Sequence, residues 1–209
     1  MIWFTADTHL NDFAYSLPGT ESDEIKYETR TTTNLIIKNW NNLIQKDDYV
    51  YVLGDFGYFK DKKEVEDMLS CLNGKKYLVI GNNDGARVCD ARGWKSVSML
   101  KKIDVRYTDG GERRSQEIVL CHYPMLVWQN SGSGSWNLHG HSHNTLPEDF
   151  NSYRYDVGVN GQNFKPISFF QVQEIMKDKY FIPKDYHGHR VVTTVFESSI
   201  LERKNIVSK

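Results

Sequence analysis

Apolar residues along this chain recur at two spacings, and the switches between them outline an order of strands and helices. A short apolar run over residues 2–6 breaks at Asp7-Thr8-His9, as a buried strand does when it ends in polar residues. From about Glu24 to Gln45 the spacing becomes helical, with Ile36, Trp40, Leu43 and Ile44 on one face. Tyr49 to Leu53 is a second β-rich run, closing on Gly54-Asp55-Phe56-Gly57. Val65, Met68, Leu69 and Leu72 mark a second helix, and Asn73-Gly74 stops it. Lys75 to Ile80 predicts a third strand that runs out into Gly81-Asn82-Asn83-Asp84-Gly85.

The second half is richer in β signals. Val97 to Thr108 reads as one alternating strand, and Asp109-Gly110-Gly111 turns it into a partner that ends at Cys121-His122-Tyr123-Pro124. Ser131 to Ser135 reads as a flexible loop between two packing tryptophans, Trp128 and Trp136. A short β-like segment leads into His139-Gly140-His141-Ser142-His143. Residues 153–159 predict another strand, 168–177 a last helix and 191–196 an edge strand. The whole is an α/β fold with a β-rich second half, and open α/β sheets place their ligands at the carboxyl ends of the strands.

Composition sets the outer bounds. The chain has 209 residues, 39% hydrophobic and 25% charged, enough for one ordinary core and no second one. A net charge of −1 announces no broad basic surface, so a long nucleic acid or an anionic membrane is not the indicated partner, although a local basic groove is compatible with it. Three cysteines, Cys71, Cys89 and Cys121, form no C-x-x-C pair, which predicts a reducing cytoplasm and a soluble protein without a leader or membrane span. There is no G-x-G-x-x-G or G-x-x-x-x-G-K-[ST] segment to suggest a nucleotide fold.

The strand ends carry the chemistry. Asp7, His9, Asp55, Asn82, His122, His141 and His143 all lie where an apolar run stops. Carboxylates and imidazoles in that number exceed the needs of one tetrahedral zinc but suit two metals sharing a carboxylate. Asp12 reads as a loop-stabilising side chain more than a rim contact, and His187-Gly188-His189, away from any strand end, as surface.

In order and wording, Asp7-x-His9, Gly54-Asp55, Gly81-Asn82-x-Asp84, His122 and Gly140-His141-x-His143 resemble the calcineurin-like metallophosphoesterase superfamily, most closely its small single-domain bacterial and phage members. Cys121 to Pro124, Asn160-Gly161 and Lys165 to Phe169 are similar to segments of those proteins too. The resemblance covers residues 1–176 and leaves 177–209 as an extension packed on or trailing the same domain. It implies a two-sheet β-sandwich flanked by helices in α-β-β-α layers. It also implies two divalent ions, with manganese favoured and iron, zinc or nickel compatible. One would be held by Asp7, His9, Asp55 and His143, and the second by Asp55, Asn82, His122 and His141, with a bridging hydroxide as nucleophile.

One departure sharpens the expectation. The family's usual Gly-Asn-His-Asp/Glu block reads Gly81-Asn82-Asn83-Asp84, so the histidine credited with protonating the leaving group is Asn83, and an amide supplies no proton. Gly57 and Tyr58, where many relatives are polar, are a lesser one. Relatives lacking that histidine still hydrolyse phosphodiesters. A small or nucleotide-type diester is therefore the expected substrate, with Asn83, Asp84 and His139 as the residues expected beside the metals in catalysis. The alternatives are a phosphomonoesterase and a metal-binding interaction module without turnover.

Overall fold

The computed structural model describes residues 1–12 and 23–184, with side chains from residue 29 onward in the first helix. In chain order the elements are β1 (Ile2–Thr5), α1 (Asp23–Leu43), β2 (Tyr49–Val52), α2 (Lys62–Cys71), β3 (Lys75–Val79), α3 (Ala86–Cys89), β4 (Trp94–Ser98), β5 (Leu100–Asp109), β6 (Glu112–Cys121), β7 (Trp136–His139), β8 (Arg154–Asp156), β9 (Ile167–Ser168) and α4 (Phe169–Lys177). They form two sheets. The first has the order β4-β3-β2-β1-β9, parallel except for β9. The second has the order β5-β6-β7-β8, an antiparallel β5–β6 hairpin extended by parallel β7 and β8.

Alternation along β1 and β2 explains why the sheets stack. Trp3, Val50 and Val52 point to one face of the first sheet, where they meet Ile36, Trp40 and Ile44 of the α1 region and Val65 and Leu69 of α2. Phe4, Tyr51 and Leu53 point to the other, where they meet Val105, Ile118, Leu120, Trp136 and Leu138 of the second sheet and Phe169, Val172 and Met176 of α4. A parallel sheet buried on both faces needs such continuous apolar runs. Fully burying a side chain of this size contributes about 1.5–3 kcal/mol. The result is the expected sandwich of two sheets flanked by helices.

Four details differ from the sequence reading. The single strand expected over 97–108 is two strands in different sheets: β4 pairs with β3, the chain crosses at Met99, and β5 pairs with β6. Strand β9 pairs with β1 through only Trp3↔Ser168 and Phe4↔Ile167, too short a run to leave a periodic signal. α3, at four residues, is also too short to leave one. The Ser131–Ser135 stretch is a built turn and not a flexible loop: Ser131–Ser133 form a 3-10 turn, and Trp128 Nε1 donates to the carbonyl oxygen and Oγ of Ser135 at 3.1 and 3.0 Å. Both tryptophans are buried, as expected of packing residues.

Residues after α4 are joined to the same domain as far as the description runs. Lys179 is buried and donates to Arg154 O at 2.5 Å, and Tyr180 N–H donates to Phe150 O at 3.0 Å. The expected edge strand over 191–196 and the surface reading of His187 and His189 lie outside the described residues.

Candidate metal centre

The seven strand-end residues converge on one end of the sandwich. β1, β2 and β3 deliver Asp7 and His9, Asp55, and Asn82 in turn from the first sheet, and β6 and β7 deliver His122, then His141 and His143, from the second. Backbone pairing continues past the strands and fixes their relative depth, with Asp7 N–H on Gly54 O at 3.0 Å and His9 N–H on Asp55 O at 3.1 Å. Gly140 N–H donates to His122 O at 3.0 Å in the second sheet. The two sheets are then tied directly, because His141 N–H donates to Asp7 Oδ1 and Oδ2 at 3.0 and 2.9 Å.

The backbone there is held in an unfavourable region. Asp7, His9, Asp55, His141 and His143 have φ of 53°, 40°, 54°, 67° and 47°. Left-handed conformations in non-glycine residues cost of order 1–3 kcal/mol each and persist where surrounding contacts over-determine them. Close packing of the strand ends supplies those contacts. A Cβ on Gly54, itself at φ 88°, would lie 2.4 Å from His122 Nδ1, and one on Gly140 would lie 2.4 Å from Ala6 Cβ and 2.6 Å from Asp7 Oδ2. Glycine at these two positions lets Asp55, His122 and Asp7 approach each other.

The donor geometry fits cations. Ligand atoms of Asp7, His9 and His143, and of Asp7, Asp55 and His122, lie within 4.8 Å of one another. Asp55 Oδ2 sits 3.6 Å from both His9 Nε2 and His122 Nε2. Asp7 is thus common to both clusters, and Asp55 stands between two imidazoles. On the other side, Asn82 Oδ1 is 2.9 Å from His122 Nε2 and 2.9 Å from His141 Nδ1. His122 already donates its Nδ1–H to Leu53 O at 2.8 Å, which turns Nε2 toward Asn82 and Asp55. A cation between Asn82 Oδ1 and the two imidazole nitrogens would satisfy all three.

Partners that orient these rings were not all legible in the sequence. Asp12, read as a loop residue, places Oδ2 3.1 Å from His9 Nδ1. Asn160 places Oδ1 2.9 Å from His143 Nδ1, and the His9 and His143 rings stack with centroids 5.2 Å apart. Asp156 braces the histidine loop, accepting from Ser142 Oγ at 2.6 Å and Asn144 N–H at 2.9 Å. Hydrogen bonds to the far nitrogen of a ligand histidine fix its tautomer and its direction.

Two of the three residues expected beside the metals turn their side chains to backbone partners. Asp84 is buried and spends its carboxylate on backbone, accepting from Asp55 N–H and Gly81 N–H at 2.9 Å and from Phe56 N–H at 3.0 Å. It is a positioning residue for both loops. His139 is buried too, donates Nδ1–H to Gly140 O at 2.9 Å, and lines a small pocket with Asn144, Tyr155 and Asp156 that contains none of the seven. Burial lowers its pKa, so it is a neutral ring behind the loop and is not brought into the cluster. Asn83 is at the centre: its side-chain amide donates to Asp55 Oδ2 at 2.7 Å.

Electrostatics reflect the crowding of acids. Burial pushes the Asp7 carboxyl up; the His141 N–H opposes this, Asp156, Asp55 and Asp84 add to it, and the pKa reaches about 8. In the metal-free chain this carboxyl keeps its proton at neutral pH, and a bound cation would displace it.

Fold and donor set together are those of a metal-dependent phosphoesterase. The calcineurin-like phosphoesterase family model matches residues 1–204, and the chain belongs to that family. The match runs past Met176, where the motif resemblance ended. A protein of Methanocaldococcus jannaschii described as uncharacterized is 27% identical over 188 residues, covering 84% of this chain and 91% of that one. The Gene 66 protein of Mycobacterium phage L5 is 25% identical over 180 residues, covering 75% and 84%. A crystal structure of a protein of unknown function from Aquifex aeolicus has the same fold, with a TM-score of 0.58 at 22% identity over 84% of this chain and 98% of that one.

Proposed function

We propose that this protein is a phosphodiesterase acting through two divalent metal ions, manganese in preference to iron, zinc or nickel. Asp7, His9, Asp55 and His143 would hold one ion, and Asp55, Asn82, His122 and His141 the other. When bound, the pair supplies a nucleophile at neutral pH and offsets charge on the phosphoryl oxygens. The chain's own residues set what remains. Leu53 O, Asp12 and Asn160 aim the imidazoles of His122, His9 and His143, and Asp84 holds the backbone on which Asp55 is mounted.

The observation that carries the diester preference is Asn83. It occupies the position of the family's acid histidine, and its amide is engaged with Asp55 Oδ2. General acid assistance is typically worth about 10²–10⁴-fold, and alkyl monoesters, whose leaving alkoxide needs the proton, suffer most from its loss. The substrate is a small or nucleotide-type diester, in keeping with the net charge of −1. A cytoplasmic setting accords with the free thiols Cys71, Cys89 and Cys121, and no helix among the described residues is long and apolar enough to cross a membrane.

The test compares bis(p-nitrophenyl) phosphate with p-nitrophenyl phosphate in manganese, with Asp55→Asn as the blank. The expected result is a higher kcat/KM for the diester and none for the variant. A faster monoester overturns the diester preference, activity that survives Asp55→Asn overturns the site, and manganese binding without turnover of either favours the non-catalytic module.

A further inference from the structure

Beside the metal cluster lies a cavity of about 180 Å³ that the residues above do not explain. Asp7, His9 and Asp12 form its inner end, α1 supplies Thr29, Thr32, Thr33 and Ile36, and Val159, Asn160 and Phe164 close the other side. The α1 residues fall at i, i+3, i+4 and i+7, so one helix face is turned to the cavity. Threonine is a poor helix former, and three stand on the cavity face of a helix whose later turns bury Ile36 and Trp40. Thr33 Oγ1 is occupied in accepting Asn11 N–H at 3.0 Å. Thr29 is half-buried and Thr32 exposed, and both line the cavity.

We infer that this cavity binds the alcohol arm of the ester that stays on phosphorus, and that the arm is compact, uncharged and hydroxyl-bearing, of the sugar or polyol class. The inference rests on the phosphoesterase reading and names its substrate class. Size argues for a single such group, since the cavity is smaller than the roughly 300–1,000 Å³ of sites for drug-sized ligands. Charge argues for neutrality: no lysine or arginine is among its described lining residues, whereas Asp7 and Asp12 are. Chemistry argues for hydroxyls, because Thr29 and Thr32 add hydroxyl donors and acceptors to a lining that also holds Ile36, Val159 and Phe164.

Three p-nitrophenyl diesters with the same leaving group, carrying ethyl, 2,3-dihydroxypropyl or 2-carboxyethyl as the second arm, test this in manganese. The wild type is expected to favour the dihydroxypropyl ester over ethyl by about tenfold in kcat/KM, chiefly through KM, and to use the carboxyethyl ester least. In Thr29→Val/Thr32→Val, which keeps side-chain shape, the tenfold preference should vanish, with the change read in KM for the dihydroxypropyl ester. Equal use of ethyl and dihydroxypropyl esters by the wild type, or a preference that survives the double variant, overturns the assignment. Calorimetry of ethyl phosphate against 2,3-dihydroxypropyl phosphate on the manganese-loaded protein separates the two readings. If no ester is hydrolysed but the dihydroxypropyl phosphate binds about tenfold tighter, and only with both threonines present, the phosphoesterase reading fails and the pocket stands. If both phosphates bind alike, the pocket assignment fails whatever the turnover.

Discussion

Asn83 grips Asp55 at both carboxylate oxygens, its backbone N–H donating to Oδ1 at 2.8 Å and its side-chain amide to Oδ2 at 2.7 Å. The backbone contact survives any substitution except proline, so the side chain can be tested alone. Asn83→Ala is expected to weaken manganese binding about 10–100-fold, as loss of a partner behind a ligand typically does, with little change in fold. Titration calorimetry reads this directly. Unchanged affinity would mean that Asp55 is held without the amide. Asn83→His should raise monoester turnover relative to diester, and an unchanged ratio would show that histidine there reaches no leaving group.

Asp84 predicts a stability effect instead. Asp84→Ala leaves the N–H groups of Asp55, Phe56 and Gly81 without their acceptor inside the fold. An abandoned buried donor costs about 1–3 kcal/mol, so the three together should lower the thermal midpoint by many degrees. Metal binding should fall with it, because the two loops lose their common anchor. A variant of near wild-type stability in a melting scan would contradict the account.

The carboxylate of Asp12 acts on the metal side through His9. Asp12→Asn keeps the volume and exchanges a charged acceptor for a neutral one at 3.1 Å from His9 Nδ1. Expected are weaker manganese binding, by about tenfold, and an unaltered melting curve in chelator. Thermal loss of the same size with and without metal would assign Asp12 to the loop alone.

Asp7 gives a pH dependence with a definite sign. Its folded pKa of about 8 lies above the ordinary 3.8, so between those values the folded chain holds a proton that the unfolded chain has released. Its contribution to stability is therefore full below pH 4 and is lost as pH rises through 8. In chelator, the wild type should lose more stability than Asp7→Asn between pH 5 and pH 8. Manganese should raise the melting point more at pH 8 than at pH 5, with a proton released on binding near pH 7. A wild-type curve parallel to that of the variant would overturn the assignment.

The strand ends were readable because an apolar run that stops at Gly54-Asp55 or Gly140-His141 changes spacing and polarity at one point. The crossing at Met99 was not, since alternation has the same period in either sheet and pairing partners leave no local mark. Asp12, Asn160 and Asp156 escaped for a different reason: Asp and Asn are ordinary loop residues, and only distance reveals that a carboxylate faces an imidazole. Asp84 and His139 adjoin ligand positions in the sequence, which cannot show that their buried side chains turn to backbone partners.

The crossing at Met99 has a mechanical meaning. Asp7, His9, Asp55 and Asn82 belong to one sheet and His122, His141 and His143 to the other, while the hydrogen bonds of His141 on Asp7 span the seam between them. Ions seated across that seam would rivet the two halves of the sandwich, so that shearing the sheets apart and dismantling the reaction centre become one event.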